Sequence, residues 1–352
     1  MRVATTLLAV LGLVLASTAN AQTERRTLTG DRVAVYNLAG RLRMEPTSGS
    51  QVVVDVTRAG PDAAKLTLAT GDVRGWQSLR VIYPSDRIVY EGMNGRRSRT
   101  TLRVNDDGTF DDHDHDDYGG GRNRVEIRDS GPGLDAHADV HVGVPKGQRI
   151  VVHWGVGDVT VTNVDGDLQV NVAAASVDAQ HTRGRLELAT GSGSVTVSDA
   201  QGDAMLDTGS GGVTLTGMKG ETLGIDAGSG SVRGSDIDVR MLKADVGSGG
   251  VRLDRVKATR AAVDAGSGTT ELEFLTVLDE LTVDAGSGGV TVRLPAGQTG
   301  DVDVETGSGG IESDFAVQTT HVERHHLRGR IGDGRGRIRI ESGSGTVRLV
   351  KG

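Results

Sequence analysis

Residues 206–217 read "LDTGSGGVTLTG", and the chain returns to this phrase as "LATGSGSVTVSD", "IDAGSGSVRGSD", "ADVGSGGVRLDR", "VDAGSGGVTVRL" and "IESGSGTVRLVK". The first glycine of each Gly-Ser-Gly is Gly191, Gly209, Gly228, Gly247, Gly266, Gly286, Gly307 or Gly343, 18 to 21 residues apart except for one final step of 36. Two degenerate copies precede them, Gly155-Val156-Gly157 and Ala173-Ala174-Ala175. Self-similarity at such a period marks a repeat architecture.

The flanks decide which architecture. Four residues after the first glycine stand Val159, Val177, Val195, Val213, Val232, Val251, Thr270, Val290, Ile311 and Val347. Before the turn, apolar pairs alternate with polar residues, as in Leu186/Leu188, Leu223/Ile225, Leu281/Val283 and Ile338/Ile340. Period two on both sides of the turn gives two short strands per unit. A second turn between them carries Gly166-Asp167, Gly184-Arg185, Gly202-Asp203, Gly220-Glu221 and Gly300-Asp301. Such a unit cannot bury its apolar face alone, and stacking solves the problem. The expectation is an all-β chain whose residues 149–352 form a parallel β-solenoid, right-handed, with two strands per 18–21-residue coil.

The 36-residue step contains "FAVQTTHVERHHLRGRIGDGRGRIRI", so residues 316–337 are expected as an excursion or cap before the last coil. Residues 22–148 show looser alternation (Val33/Val35, Leu42/Met44, Val52/Val54/Val56) and read as a β-rich N-terminal region. Within it, the polar, Gly-containing 94–132 reads as a flexible insertion. At the start, Arg2, an apolar run from Leu7 to Ala16 and Ala19-Asn20-Ala21 describe a signal peptide of residues 1–21. No run is long enough for a transmembrane helix. The expected location is therefore outside the cytoplasm, in a bacterial periplasm or at the cell surface.

Composition removes several functions. The 352 residues include no cysteine, which excludes disulfides and thiol chemistry, and aromatics make up only 3%. A net charge of −8 gives nucleic acid no electrostatic reason to bind. Gly-Ser-Gly as a phosphate loop would need a following helix, and here a strand follows each copy. The glycines are instead expected to allow positive φ at a tight corner, with stacked serine hydroxyls satisfying the backbone.

Two residue sets invite chemistry. Two positions before each turn lies an acidic column: Asp207, Asp226, Asp245, Asp264, Asp284, Glu305 and Glu341. Hydrogen bonds, a divalent cation, or Arg233, Lys243, Arg252, Arg339 and Arg348 would offset its self-repulsion. The second set is "DDHDHDD": Asp111, Asp112, His113, Asp114, His115, Asp116 and Asp117 have metal-ligand chemistry but no fixed spacing to distant ligands. His321, His325 and His326 read as surface residues of the cap. No acid, base and oxyanion donor converge in the sequence, so neither catalytic residues nor a cofactor are expected.

The stretches "VPKGQRIVVHWGVGDVTVTNVDGDLQVNVA", "TGSGSVTV" and "GRIGDGRGRIRIESGSGTVRL" resemble the bacterial "putative adhesin" family of β-strand-repeat proteins, over roughly residues 30–352 apart from 94–132. The resemblance implies an exported solenoid with no catalytic residues to carry over. The expected function is a non-enzymatic binding or scaffold protein of the envelope, with an envelope protein, a glycan or its own copies as partner. The alternatives are a polysaccharide-active β-helix enzyme and a metal-responsive protein acting through residues 111–117.

Overall fold

The computed structural model describes residues 22–93, 98–110 and 123–352. It is all-β, with largely parallel strands in one 27-stranded sheet and a separate four-stranded sheet. The seven residues Asp111 to Asp117 lie outside the described residues.

In the repeats each level pairs in parallel with the neighbouring level, and consecutive strands before the C-terminal excursion do not form hairpins. Leu168 lies beside Leu186, Leu186 beside Ala204, and Ala204 beside Leu223. A second ladder holds Val159, Val177, Val195, Val213, Val232, Val251, Thr270 and Val290 side by side in that order. Alternation sets burial: Glu280–Ser287 reads exposed, buried, exposed, buried along its length. The buried columns are aliphatic, each large side chain contributing about 1.5–3 kcal/mol. The N-terminal region joins both ladders. Arg32–Ala39 pairs in parallel with Gln148–Val156, and Leu42–Pro46 with Val159–Thr162.

The Gly-Ser-Gly turns meet the sequence expectation in part: the last glycine has positive φ at Gly268, Gly288, Gly309 and Gly345, but not in the earlier Gly-Ser-Gly copies. A Cβ on Gly211 would stand 1.7 Å from the carbonyl oxygen of Gly193, and one on Gly230 would stand 1.8 Å from that of Gly211. Neither glycine has positive φ. Glycine is required there because the turns stack backbone on backbone. The left-handed positions form a column at the other turn: Asn163, His181, Asp199, Gly217, Asp236 and Arg255, with φ between 53° and 71°. Asn and Asp tolerate that region best among side-chain-bearing residues. Nor is it the motif serine that ties the turn. Thr190 Oγ1 donates to Ala175 O and Thr208 Oγ1 to Gly193 O, each at 3.0 Å.

The two degenerate turns lie under the four-stranded sheet. The Tyr90 hydroxyl is 3.3 Å from where a Gly157 Cβ would be, and the Leu102 methyl is 3.1 Å from that of Gly155. At the serine position Val156 is buried and Ala174 is partly buried against the core, which is why apolar residues replace serine there. The covering sheet includes Arg99–Val104 and Asn123–Arg128, paired antiparallel, inside the stretch expected to be a flexible insertion. Its alternating strands were hidden by Arg, Thr and Asn on the exposed side.

The C-terminal excursion is a hairpin of Val317–Glu323 and His326–Ile331, the latter antiparallel to Gly300–Thr306. The last repeat does not follow it in space. Gly336–Ser342 pairs with Glu280–Ser287 on one side and Gly300–Thr306 on the other, so the C-terminal repeat is inserted one place inward.

Three variants check this packing. Gly211→Ala is expected to cost about 2 kcal/mol in denaturant unfolding, as overpacking against backbone does. Gly310→Ala, with nothing within 4 Å of its Cβ position, should change stability by less than about 0.5 kcal/mol. Thr270 places an unbonded hydroxyl in the buried column between Val251 and Val290, so Thr270→Val should stabilise by about 1 kcal/mol.

Candidate binding surface

Because a residue at fixed offset from the turn always meets its counterpart, the acidic residues are brought together. The register places Asp207 beside Asp226, Asp226 beside Asp245, Asp245 beside Asp264, and Asp264 beside Asp284. Asp284 then meets Glu341, and Glu341 meets Glu305, an inversion of sequence order caused by the inserted last repeat. Seven carboxylates thus line one outer face at the strand spacing of about 4.8 Å. All are exposed or partly so.

The same column continues beyond Asp207 as Ala189, Asn171, His153 and Tyr36. There the rings of Tyr36 and His153 stack at 4.6 Å with Phe110 edge-on to both. The acidic portion begins where that covering stops. At the other end, Glu305 lies beside His326, whose Nε2 is 2.8 Å from Asp303 Oδ1. His326 is therefore held in the sheet, whereas His321 is exposed beside Glu323.

Burial against neighbours raises the carboxyl pKa of Asp226, and the flanking charges of Asp207 and Asp245 raise it further. Asp264 is raised in the same way, by burial first and then by Asp245 and Asp284. Lys243 opposes both shifts. Of the five cations expected to compensate, Lys243 acts on the column and Arg339 pairs with Glu341. Arg233, Arg252 and Arg348 lie in the other ladder, where Arg252 bonds Glu271 at 2.6 Å and Arg348 bonds Glu312 at 2.8 Å. Among the described residues no group of three or more His, Asp or Glu has the geometry to hold a metal ion.

A raised carboxyl pKa means the folded state holds those protons more tightly than the unfolded chain. The associated stability is present below the ordinary carboxylate range and lost as pH rises through the folded pKa. Asp226→Asn and Asp264→Asn should therefore each stabilise the protein at pH 7 by about 0.5 kcal/mol. The gain should shrink toward zero near pH 3 and fall with added salt. Melting curves of the variants against wild type at both pH values give the test.

No curated protein matches this chain. A solved structure described as that of a "putative cell adhesion protein" from Clostridium sporogenes aligns over 94% of this chain and 100% of its own, with 9% identity and a TM-score of 0.20. The sequence model of one family matches residues 98–350, running through the segment that sequence reading had set aside. The chain belongs to the Toastrack DUF4097 family.

Proposed function

We propose that this chain is an exported, non-enzymatic β-solenoid, right-handed, that presents its long outer face to a partner in the bacterial envelope. Parallel pairing of each repeat with the next, at an offset of 18 to 20 residues from Val159 to Val290, supports the coil reading. Export is favoured by the sequence of the first 21 residues, with Arg2, the apolar run and Ala19-Asn20-Ala21 in the order of a signal peptide. The apolar run from Leu7 to Ala16 then serves only for export.

The observation that carries a binding role over catalysis is the sameness of the acidic column. Hydrolysis by paired carboxylates needs two groups whose environments push their pKa values apart. Asp226 and Asp264 are pushed the same way by the same causes. Charges repeated at one interval suit multivalent attachment to an envelope protein, a glycan or another copy of the chain, where many weak contacts add.

Fractionation with N-terminal sequencing tests export: the mature chain should begin at Gln22 outside the cytoplasm, and a cytoplasmic chain beginning at Met1 would count against it. For attachment, co-sedimentation with isolated envelope fragments is expected to fall at least tenfold when Asp207, Asp226, Asp245, Asp264 and Asp284 are all changed to Asn. Undiminished binding by that variant would remove the column from the reading.

A further inference from the structure

Two turns in the chain share the pattern Pro-x-Gly-Gln: Pro145, Gly147 and Gln148, and again Pro295, Gly297 and Gln298. In both, the glutamine N–H donates to the proline carbonyl, at 3.3 Å and 2.9 Å. Both turns also make the same unusual move. Strand His137–Val144 lies on one side of Leu42–Pro46, and Val159–Thr162, the strand one further on from Gln148–Val156, lies on the other. Strand Val290–Leu294 lies beside Val347–Lys351, and the strands after the second turn lie on that repeat's far side. Each turn thus steps over one level of the stack, and in each case a repeat from near a chain terminus fills the skipped level.

The glutamines hold that level open. Gln298 is 1% exposed. Its Oε1 accepts from Leu278 N at 2.9 Å, and its Nε2 donates to Leu278 O at 3.0 Å and Thr299 O at 2.9 Å. The amide stands in for a peptide unit of the skipped corner, where the incoming chain begins only at Gly336. Gln148 does a related job, its Nε2 donating to Gly30 O at 3.0 Å.

The piece that fills the second gap matches it. Ile338, Ile340, Val347 and Leu349 are buried between the neighbouring repeats. Arg337 sits between Glu280 and Asp301, Arg339 between Thr282 and Asp303, and Arg348 between Thr291 and Glu312. One short connection leads into it: Ile331 and Gly336 flank Gly300 on opposite sides, joined through Gly332 and Gly334, both with positive φ.

Resting on the coil reading above, we infer that residues 336–352 are a closing strap: the slot between the coils of 280–294 and 300–313 forms first, and binds this arginine-bearing segment as its ligand. The strap follows both coils in the sequence, so the two coils that hold it are synthesised before it arrives. Its occupant is the chain's own segment 336–352.

Two experiments separate the strap from the coil reading. The chain has no cysteine, so engineered pairs report register cleanly. Thr214→Cys with Arg233→Cys tests ordinary coil stacking, and failure to cross-link there would sink the coil reading itself. Thr282→Cys with Arg339→Cys should also link, whereas Thr282→Cys with Asp303→Cys should not. The reverse result, with the first pair intact, overturns the insertion alone.

The second experiment uses the full chain with a protease site placed in 332–335 and cut after folding. Fragment 336–352 should remain bound, leave at a lower urea concentration than the body unfolds, and be replaced by labelled peptide of the same sequence. A peptide carrying Arg337→Glu, Arg339→Glu and Arg348→Glu should bind at least tenfold more weakly. Loss of the fragment in one transition with the body, or equal binding of the charge-reversed peptide, would refute the strap.

Discussion

The spacing between stacked turns leaves no room for a methyl group, and the rest of the structure depends on that closeness. Parallel strands about 4.8 Å apart can keep one register over many levels only if the turns joining them stack at the same interval. At the glycine turns this is achieved by running the backbone ladder around the bend. Ser210 N donates to Gly191 O at 3.1 Å, and Gly228 N to Thr208 O at 2.9 Å. A side chain on Gly211 or Gly230 would force neighbouring levels apart and break the ladders on both sides of the turn. The glycines therefore act by what they lack in volume, and at Gly268, Gly288, Gly309 and Gly345 by their conformational freedom as well.

Once register is fixed at the turn, each surface position becomes a column. On the second ladder and its turns the columns mix signs: Arg255 meets Asp236, Arg252 meets Glu271, and Arg240 meets Glu221. Exposed pairs of this kind contribute little stability individually, but they avoid repulsion. The acidic column breaks that habit within the same molecule. Seven like charges are kept at exposed or half-exposed strand positions, of the kind that carry both signs on the other ladder. Such a column weakens the fold by a small, salt-dependent amount, and attachment to a complementary surface would use the charge that folding does not.

Period two, the repeat interval and the membership of each column were legible in the sequence because they depend only on distance along the chain. Spatial order was not legible, because it depends on which level each strand occupies. Glu341 follows Glu305 in sequence and precedes it in the column, and nothing in either local stretch signals the exchange. The signal lay in Pro295 to Gln298, a short turn whose counterpart at Pro145 to Gln148 makes the same step. The covering strands Arg99–Val104 and Asn123–Arg128 were missed for a different reason: only one face of each meets the core, so half of their residues are those of a loop. The positive-φ column could have been found from Asn163, Asp199, Gly217 and Asp236, residue types that favour that conformation, at the repeat interval.

Stacks of parallel strands end in edges, and edges recruit other chains. Here each end of the large sheet carries an antiparallel addition on one ladder, while the other ladder ends at the C-terminal side in the three-residue strand Ile311–Ser313. At one end Gln22–Leu28 pairs antiparallel with Val52–Ala59, and Glu24, Arg26 and Arg58 form half-buried ion pairs there. At the other, the hairpin ends in Val317–Glu323, an exposed strand with a register break between Thr319 and His321. Charges turned inward and an interrupted edge both disfavour further pairing. Building these ends from antiparallel excursions takes the chain past its own last level, and the terminal repeats must then come back inside. The step-over turns are thus the consequence of closing the ends: a chain that finishes its rod with hairpins has to leave slots, and Gln148 and Gln298 are placed where those slots are left.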